Sequence, residues 1–383
     1  MKNLSVYIPT ASFCYPGAAA QLGREAALKG RRFLLVTEQQ LSDSRVQETL
    51  KNSCENQGIE IISYTDVGPF PNTSHVNKVV ELAKAGRVDG IIGFGDIYTL
   101  SIAKGAAATG KSGTPAAAII TGNLDDTVSP YPYFEVPSTV RAPILFNGGL
   151  HLVDARNGEA VYSLLPNYRT DAGFLDPDLL DIYSQKYRLS VIMDLLLSSI
   201  EGYISGEDTF FSDTLHLRAI GLVLSNLAQV LEEPGNTDYL FRIQQAGFFA
   251  AYGLGISSPG IGTITSHILA AVKRVPQPVI STILLPYVLE YGVKTAPEKV
   301  SRMGPMLGEN LKGLSVVQAA DRVVESIRTY LGVDVLPSRL SELGIDGEDI
   351  ESAAAQACRW PLSDALPSRM DEERAASFLR DAL

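Results

Sequence analysis

Short apolar runs alternate with polar or amphipathic stretches through the first part of the chain. Four runs have the length of β-strands, namely residues 32–37, 59–64, 89–93 and 116–121. Strands that are apolar at nearly every position are typical of a parallel sheet covered by helices on both faces. The pattern therefore predicts an α/β domain built on a parallel, Rossmann-like sheet.

Two further short apolar segments, residues 150–154 and 160–164, are separated by the sequence ARNGE. Asn157-Gly158 favours a tight turn, because both residue types tolerate positive φ at low cost. The pattern predicts an antiparallel hairpin over these residues.

After about Asp176-Pro177 the apolar residues follow helical spacing. Several of the segments are apolar nearly all round, as expected for helices buried inside a bundle. They are residues 187–204, 215–231, 239–254, 261–272, 279–291 and 316–331. The predicted fold class is an α/β N-terminal dinucleotide-binding (Rossmann-like) domain, residues 1–177, plus an all-α C-terminal helical domain, residues 178–383.

Composition narrows the possible functions. The chain has 383 residues with a net charge of -11, and nucleic-acid binders normally carry a basic surface, so DNA and RNA are not expected as partners. Its three cysteines are too widely spaced for a disulfide framework or a cysteine-rich zinc site. These features predict a cytoplasmic protein.

Residues 243–272 contain no Asp, Glu, Lys or Arg. A membrane helix needs about 20 predominantly apolar residues, whereas glycines, Pro259 and hydroxyl residues interrupt this run. The sequence predicts two buried helices joined by the turn SSPGIG. No membrane partner and no signal peptide are expected.

The sequence GFGD follows the third strand candidate and opens a helix. Gly93 and Gly95 would let the backbone approach a pyrophosphate, and Asp96 begins the helix whose N-terminus supplies amide donors. The alternative is a tight strand-to-helix turn that binds nothing. Glu38, just past the first strand candidate, can accept hydrogen bonds from a ribose 2′-OH and would repel a 2′-phosphate, which favours NAD over NADP. Its alternative is a solvated loop residue.

The order of segments along nearly the whole chain resembles the iron-containing alcohol dehydrogenase family, which is related to dehydroquinate synthase. The resemblance implies that family's fold, a nicotinamide cofactor and a homodimer. The segments that carry it are YPGAAAQLG, LLVTEQQL, DVGPFPNTSHV, DGIIGFGD with SIAK, VPST, FLDPDLL, MDLLLSSIEGYIS, TITSHILAAVKRVPQPVISTILLPYVLEYG and LPSRLSELGI.

The metal site of the resembled family differs in this chain. Family members bind a divalent metal through one Asp and three His, and the matching positions here hold Asp194, Ser198, Thr263 and Gln277. Iron and zinc prefer imidazole or thiolate to a neutral hydroxyl or amide, so neither metal is expected. Ser198, Thr263 and Gln277 become candidates for hydrogen bonds to a substrate. The alternative is that they satisfy one another inside a helical core.

His267 lies one helical turn after Thr263 and matches a family histidine near the nicotinamide. We expect it to act as a general acid or base, the alternative being a core histidine. Asp194 stands in the apolar stretch VIMDLLL, where a carboxylate is costly without a partner. The resemblance therefore gives His267 and Asp194 as the catalytic candidates.

The cofactor end also departs from the family. The family's Thr-Gly-Ser-Glu run is absent, since VRAPILF follows Pro137-Ser138-Thr139, and the distance from the loop to Ala-Lys is longer here. Ser138 and Thr139 remain candidates for cofactor contacts.

Two functions from different classes follow. The first is an NAD(P)-dependent oxidoreductase that interconverts an alcohol and a carbonyl without a catalytic metal, acting on a small-molecule or carrier-bound substrate. The second is a catalytically degenerate member that serves as a binding or scaffolding subunit for a partner enzyme, in a hetero-complex. Cofactor binding distinguishes them, because only the first requires it.

Overall fold

The computed structural model describes residues 6–42, 44–68, 70–110, 115–122, 129–165, 168–331 and 336–383. Pro69 of the DVGPFPNTSHV segment lies outside these residues. The chain forms two compact units, one of Val6–Tyr183 with Gly235–Gln244, the other of Ser184–Pro234 with Gln245–Leu383. The sequence-based division assigns residues 235–244 to the helical domain, whereas their contacts are with the first unit.

Strands of the first unit form a parallel sheet and a separate hairpin. They are β1 (Ala11–Cys14), β2 (Arg32–Glu38), β3 (Glu60–Val67), β4 (Gly90–Gly95), β5 (Tyr133–Pro137), β6 (Gly149–Val153), β7 (Ala160–Leu164) and β8 (Ala172–Leu175). The six-stranded sheet has the order β1-β8-β5-β4-β2-β3, and all of its pairs are parallel. The predicted strands at β2, β3 and β4 are confirmed, as is the Rossmann-like sheet.

Strand side chains point alternately to the two faces of a sheet, so a strand that is apolar at every position contributes to a hydrophobic core on each face. On β2, Leu34 and Val36 join one hydrophobic core, and Phe33 and Leu35 join the other. Helices cover the faces, as the continuous apolar runs predicted. They are α1 (Leu22–Ala27), α2 (Arg45–Glu55), α3 (Thr73–Ala85), α4 (Ile97–Thr109) and α5 (Ala116–Ile120).

The predicted strand at residues 116–121 is wrong, because these residues form helix α5. Three consecutive alanines favour a helix over a strand, and Pro115 occupies its N-cap position. The next place in the sheet belongs instead to β5, whose sequence YFEVP includes a buried glutamate. Because a charged residue interrupts this strand, a pattern of continuous apolar positions does not identify it.

The predicted hairpin is confirmed. Strands β6 and β7 pair antiparallel, with His151 opposite Tyr162. Gly158 in the connecting turn has a φ of 77°, a left-handed conformation that suits glycine.

The second unit consists of helices, as the sequence predicted. Its helices, together with α8, which begins within the first unit, are α6 (Gln185–Ile204), α7 (Phe210–Glu232), α8 (Thr237–Leu254), α9 (Ile261–Lys273), α10 (Gln277–Thr295), α11 (Pro297–Ser301), α12 (Val316–Leu331), α13 (Gly347–Ala357) and α14 (Glu372–Asp381). Helix α8 ends before SSPGIG and α9 begins within it, so the predicted pair of buried helices is confirmed. Helix α7 is long and apolar enough to cross a membrane by length and composition, and half of its most apolar window is buried in the protein.

Candidate functional site

The carboxyl ends of β2 and β4 form the first candidate site. The chain places β3 on one side of β2 and β4 on the other, so the direction of winding changes between β2 and β4. Open parallel sheets bind ligands in the crevice outside the strands at such a point. Glu38 ends β2, Gly95 ends β4, and Asp96 precedes helix α4. We call this place the switch-point crevice.

The Glu38 side chain lies against the N-terminus of α4. Its Oε1 accepts hydrogen bonds from the Asp96 N–H at 2.9 Å and from the Thr99 hydroxyl at 3.0 Å. Its Oε2 accepts one from Gln40 Nε2 at 2.6 Å. Burial raises the pKa of the Glu38 carboxyl, and the nearby Asp96 carboxylate adds to that rise. Glu38 is therefore an integral part of the crevice and not a solvated loop residue.

Gly93 and Gly95 are required by packing within the first unit. A Cβ at Gly93 would lie 2.7 Å from the Tyr133 hydroxyl oxygen. A Cβ at Gly95 would lie 2.8 Å from Glu38 Oε1 and 2.8 Å from Thr99 Cβ. The close strand-to-helix turn thus explains both glycines without a ligand, and it leaves their predicted role toward a pyrophosphate untested.

The remaining predicted cofactor residues lie at the same edge of the sheet. The Thr139 hydroxyl donates to Asp96 Oδ1 at 3.2 Å, and the Arg141 guanidinium lies 3.7 Å from Asp96 Oδ2. The Ser138 and Tyr183 hydroxyls share a hydrogen bond of 2.6 Å. Burial raises the pKa of the Tyr183 hydroxyl. The structure thus brings together Asp96, Ser138 and Thr139.

Three further residues of the crevice, Arg141, Thr99 and Tyr183, belong to none of the motifs recognised in the sequence. The signal for Arg141 was a single cation in the apolar sequence VRAPILF, and its side chain is indeed buried, with 4% exposed. A guanidinium buried beside a carboxylate is a typical feature of binding sites.

The donors of the switch-point crevice suit a pyrophosphate in their chemistry. A helix N-terminus, hydroxyls and a guanidinium are the groups that bind phosphate oxygens. Two carboxylates occupy the same place, however, and one amide at the start of α4 already serves Glu38. The residues therefore match a dinucleotide in the chemistry of their donors, and Glu38 occupies two of those donors, the Asp96 N–H and the Thr99 hydroxyl.

The second candidate site lies in the helical unit and is formed by four buried side chains. Gln277 Nε2 lies 3.0 Å from Asp194 Oδ1, 2.7 Å from Ser266 Oγ and 2.8 Å from Ser281 Oγ. At most 5% of any of these side chains is exposed. The amide oxygen of Gln277 has no hydrogen-bond partner among the described residues. We call this group the Asp194–Gln277 cluster.

The four positions matched to metal ligands do not fit iron or zinc. The Gln277 side chain presents its amide nitrogen to Asp194 Oδ1 at 3.0 Å, and iron and zinc prefer imidazole or thiolate to a neutral amide. The Ser198 hydroxyl donates to the Leu195 carbonyl oxygen at 3.2 Å. Among the described residues, no group of three or more His, Cys, Asp or Glu side chains could hold a metal ion. The chemistry of the donors thus disagrees with a transition-metal site, and elemental analysis remains its test.

Thr263 contacts a buried carboxylate, Glu201, that the sequence motifs did not point to. Its hydroxyl donates to Glu201 Oε2 at 2.6 Å, and the N–H groups of Gly260 and Gly262 donate to the same carboxylate at 2.9 and 2.6 Å. Glu201 thereby satisfies the N-terminus of α9 from a neighbouring helix. Burial raises the pKa of the Glu201 carboxyl to about 7, although these donors oppose the rise. Thr263 is held by this contact, so its predicted contact with substrate has a structural alternative.

His267 lies on α9 with 2% of its surface exposed, and its ring stacks on the Trp360 indole with 6.3 Å between centroids. Asp194, its predicted catalytic partner, faces the Gln277 amide. Their roles in catalysis remain predictions.

Comparison with protein-family models matches both parts of the chain. Residues 9–177 match the model described as "Iron-containing alcohol dehydrogenase". Residues 189–383 match the model of the "Fe-containing alcohol dehydrogenase family, C-terminal". The resemblance inferred from the sequence motifs is therefore confirmed.

Curated relatives match almost over their full length. The 1,3-propanediol dehydrogenase of Klebsiella pneumoniae is 25% identical, over 98% of this chain and 97% of its own. The lactaldehyde reductase of Escherichia coli K12 is 25% identical, over 93% of each chain. The NAD-dependent methanol dehydrogenase of Bacillus methanolicus is 21% identical, over 98% of this chain and 99% of its own.

Solved structures share the fold. A crystal structure of 1,3-propanediol oxidoreductase superposes with a TM-score of 0.88 at 21% identity and covers 100% of both chains. A sulfoacetaldehyde reductase from Bifidobacterium kashiwanohense in complex with NAD+ gives a TM-score of 0.83 at 18% identity, covering 100% of this chain and 99% of the other. At these identities the superpositions show the fold alone.

Proposed function

Because the chain belongs to the iron-containing alcohol dehydrogenase family, we propose that it is an NAD-linked oxidoreductase that interconverts an alcohol and a carbonyl without a catalytic metal. The relatives are alcohol, propanediol and lactaldehyde oxidoreductases, which supports the reaction class. The observation that carries the metal-free part is the contact of Gln277 with Asp194, which places an amide where the family places an imidazole ligand.

Oxidation of an alcohol removes a hydride from carbon and a proton from oxygen. NAD, when bound, supplies the hydride acceptor. The protein must then hold the substrate oxygen and accept its proton, tasks in which a metal would act as a Lewis acid. The Asp194–Gln277 cluster offers fixed polar groups to orient a substrate oxygen.

His267 is the imidazole that we assign to the proton. Two other histidines of the chain, His151 and His216, are fully buried, and burial lowers the pKa of each ring to about 3. Both rings are therefore held neutral. All three histidines are enclosed, so position and not exposure distinguishes His267. His267 is the histidine at a position matched to the nicotinamide end of the family's site, and a general acid or base there contributes about 10²–10⁴-fold to the rate.

The switch-point crevice would hold the dinucleotide through Ser138, Thr139, Arg141 and the N-terminus of α4. Once its carboxylate has turned away from the N-terminus of α4, Glu38 can accept a hydrogen bond from a free 2′-OH and would repel a 2′-phosphate, so we propose NAD over NADP. Relatives named for 1,3-propanediol, methanol and lactaldehyde make short alcohols and aldehydes the first substrates to test. A homodimer is also part of this proposal.

A second candidate function is a subunit that binds or supports a partner enzyme without catalysis of its own. The observation that favours it is the pair of carboxylates, Glu38 and Asp96, at the start of α4. A dinucleotide would have to overcome both charges.

Calorimetric titration of the purified protein with NAD and NADP separates the two functions. Binding of NAD, followed by reduction of NAD with a short primary alcohol, supports the oxidoreductase, and activity that persists after dialysis against a chelator supports its metal-free form. One tightly bound iron or zinc per chain would contradict that form. Binding of neither dinucleotide would favour the scaffolding subunit.

A further inference from the structure

We propose that Glu38 is an internal competitor of the dinucleotide, whose carboxylate occupies the place at the N-terminus of α4 that a pyrophosphate needs. Binding of the dinucleotide then requires displacement of this side chain. This inference rests on the proposed function, because it concerns binding of the same cofactor in the switch-point crevice.

The contacts of Glu38 are those that a bound anion would make. The first amides of a helix have no partner within it and lie at the positive end of the helix dipole. The Glu38 carboxylate accepts from the Asp96 N–H at 2.9 Å and from the Thr99 hydroxyl, one turn into α4, at 3.0 Å. A phosphate at this helix end would use the same kind of donors.

The carboxylate also fills the space that the glycine leaves. A Cβ built on Gly95 would lie 2.8 Å from Glu38 Oε1, so the carboxylate is in direct contact with the loop backbone. The close approach that a glycine-rich loop permits to a phosphate is therefore used by a side chain of the chain itself. Glu38 and a pyrophosphate cannot occupy this space together.

Charge opposes their coexistence as well. The Asp96 carboxylate stands beside Glu38, and the Arg141 guanidinium near it is 3.7 Å from Asp96 Oδ2. Two carboxylates thus lie at this helix end. A pyrophosphate would add further negative charge, whereas departure of Glu38 would leave Arg141, Thr139 and the α4 amides facing it.

Glu38 has a route out of the crevice. It is the last residue of β2, and the exposed residues Gln39 and Gln40 follow it. Its side chain can turn outward by rotation about its own bonds, at the cost of its hydrogen bonds to Asp96 and Thr99. The sheet pairing of β2 with β4, which ends at Thr37, is not disturbed.

The test compares nucleotide binding by the parent protein and by variants of the crevice. Glu38→Ala removes the carboxylate, and Glu38→Gln removes its charge at constant size. Asp66→Asn is the matched control, because Asp66 lies near the end of neighbouring β3, is 80% exposed and faces Lys78. Calorimetry with NAD, ADP and adenosine separates the pyrophosphate from the ribose.

We expect Glu38→Ala to bind NAD and ADP about tenfold more tightly, the size of one charge-assisted hydrogen bond that no longer has to be broken. Glu38→Gln should show a smaller gain of about threefold. Adenosine, which lacks phosphate, should gain nothing, and Asp66→Asn should match the parent protein.

Unchanged or weaker binding of ADP and NAD by Glu38→Ala and Glu38→Gln would overturn the inference. If the parent protein still binds NAD in that case, the proposed function stands and Glu38 acts on the ribose alone, without competing with the pyrophosphate. If neither the parent nor any variant binds NAD or ADP, the inference and the NAD-linked function fail together.

Discussion

The switch-point crevice and the Asp194–Gln277 cluster are two places where the family binds a ligand and this chain places its own polar groups. In the crevice an ionisable side chain, Glu38, accepts hydrogen bonds from two donors at a helix N-terminus, the Asp96 N–H and the Thr99 hydroxyl. In the cluster a neutral amide, Gln277, satisfies a carboxylate, and the ligating imidazoles are absent from the matched positions. The crevice therefore presents donors of the kind that bind an anion, whereas in the cluster a hydrogen bond joins two positions that the resemblance matches to metal ligands.

The two places also differ in how deeply their side chains are buried. Glu38 is half-buried at the carboxyl end of β2, whereas Ser266, Gln277 and Ser281 are almost fully enclosed by helices. A side-chain contact at the end of a strand can exchange with a ligand by rotation of that one side chain. A contact inside a helical unit is fixed by the packing around it.

The sharpest test of the helical unit's function is His267→Gln. We expect a folded protein whose alcohol oxidation is reduced about 10²–10⁴-fold, because glutamine keeps polarity and much of the volume but cannot exchange a proton. Steady-state kinetics with NAD measures the effect. His75→Gln is the control, since His75 is in the first turn of α3, where its ring accepts from the Asn72 N–H at 3.2 Å. Unchanged turnover in His267→Gln would make His267 a bystander.

Gln277→Glu tests whether the cluster depends on a neutral amide. Two carboxylates about 3 Å apart in a buried site repel each other, and an uncompensated buried charge costs about 3–5 kcal/mol in the free energy of unfolding. Urea unfolding measures the loss. The double variant Asp194→Asn with Gln277→Glu exchanges the two groups and should recover most of the stability. If the double variant is no more stable than Gln277→Glu alone, the amide–carboxylate contact is not what stabilises the cluster.

The free energy of unfolding should depend on pH through one buried histidine in each unit. Burial lowers the pKa of His151 in the first unit and of His216 in the second to about 3, from an ordinary 6.5. The unfolded chain takes up protons on these rings as the pH falls below 6.5, while the native protein takes them up only near 3. The free energy of unfolding should therefore fall with falling pH, by about 2 kcal/mol for each ring at about pH 5.

Urea unfolding between about pH 5 and pH 8 measures that dependence, and His216→Leu should reduce its slope. His216 packs against Gly202 and Gly253, where added Cβ atoms would lie 2.4 and 2.6 Å from its ring, so the replacement must not be larger. A slope that is the same in the parent and in His216→Leu would show that this ring does not stay neutral in the native protein.

Thr263→Val measures a smaller effect near the cluster. The variant removes the hydroxyl that donates to Glu201 at 2.6 Å, and we expect a loss of about 1–2 kcal/mol in the free energy of unfolding. Thr265→Val on the same helix is the control, because its hydroxyl donates only to backbone carbonyls of α9 and its loss should cost less. A Thr263→Val protein of parental stability but lower activity would return Thr263 to the substrate pocket.

Local pattern was sufficient for much of the fold. Continuous apolar runs identified β2, β3 and β4, and Asn157-Gly158 identified the hairpin, because strand burial and turn geometry are encoded over a few residues. The same reasoning failed at α5 and β5, where three alanines and a buried glutamate gave the opposite signals. Helix propensity decided the structure of α5. Pairing with strands that are distant in the chain decided the position of β5 in the sheet.

The sequence by itself determined which chemical groups the two sites hold: a glutamate and an aspartate beside a glycine loop, and an amide where an imidazole ligand belongs. Only the tertiary structure decided what those groups contact. Glu38 meets Asp96 across 58 positions of the chain, and Gln277 meets Asp194 across 83. Such pairs depend on how strands and helices pack, and a buried polar group must find its partner among whatever that packing brings within reach. The capping of α9 by Glu201 and the position of Glu38 at the start of α4 were therefore decided at that level.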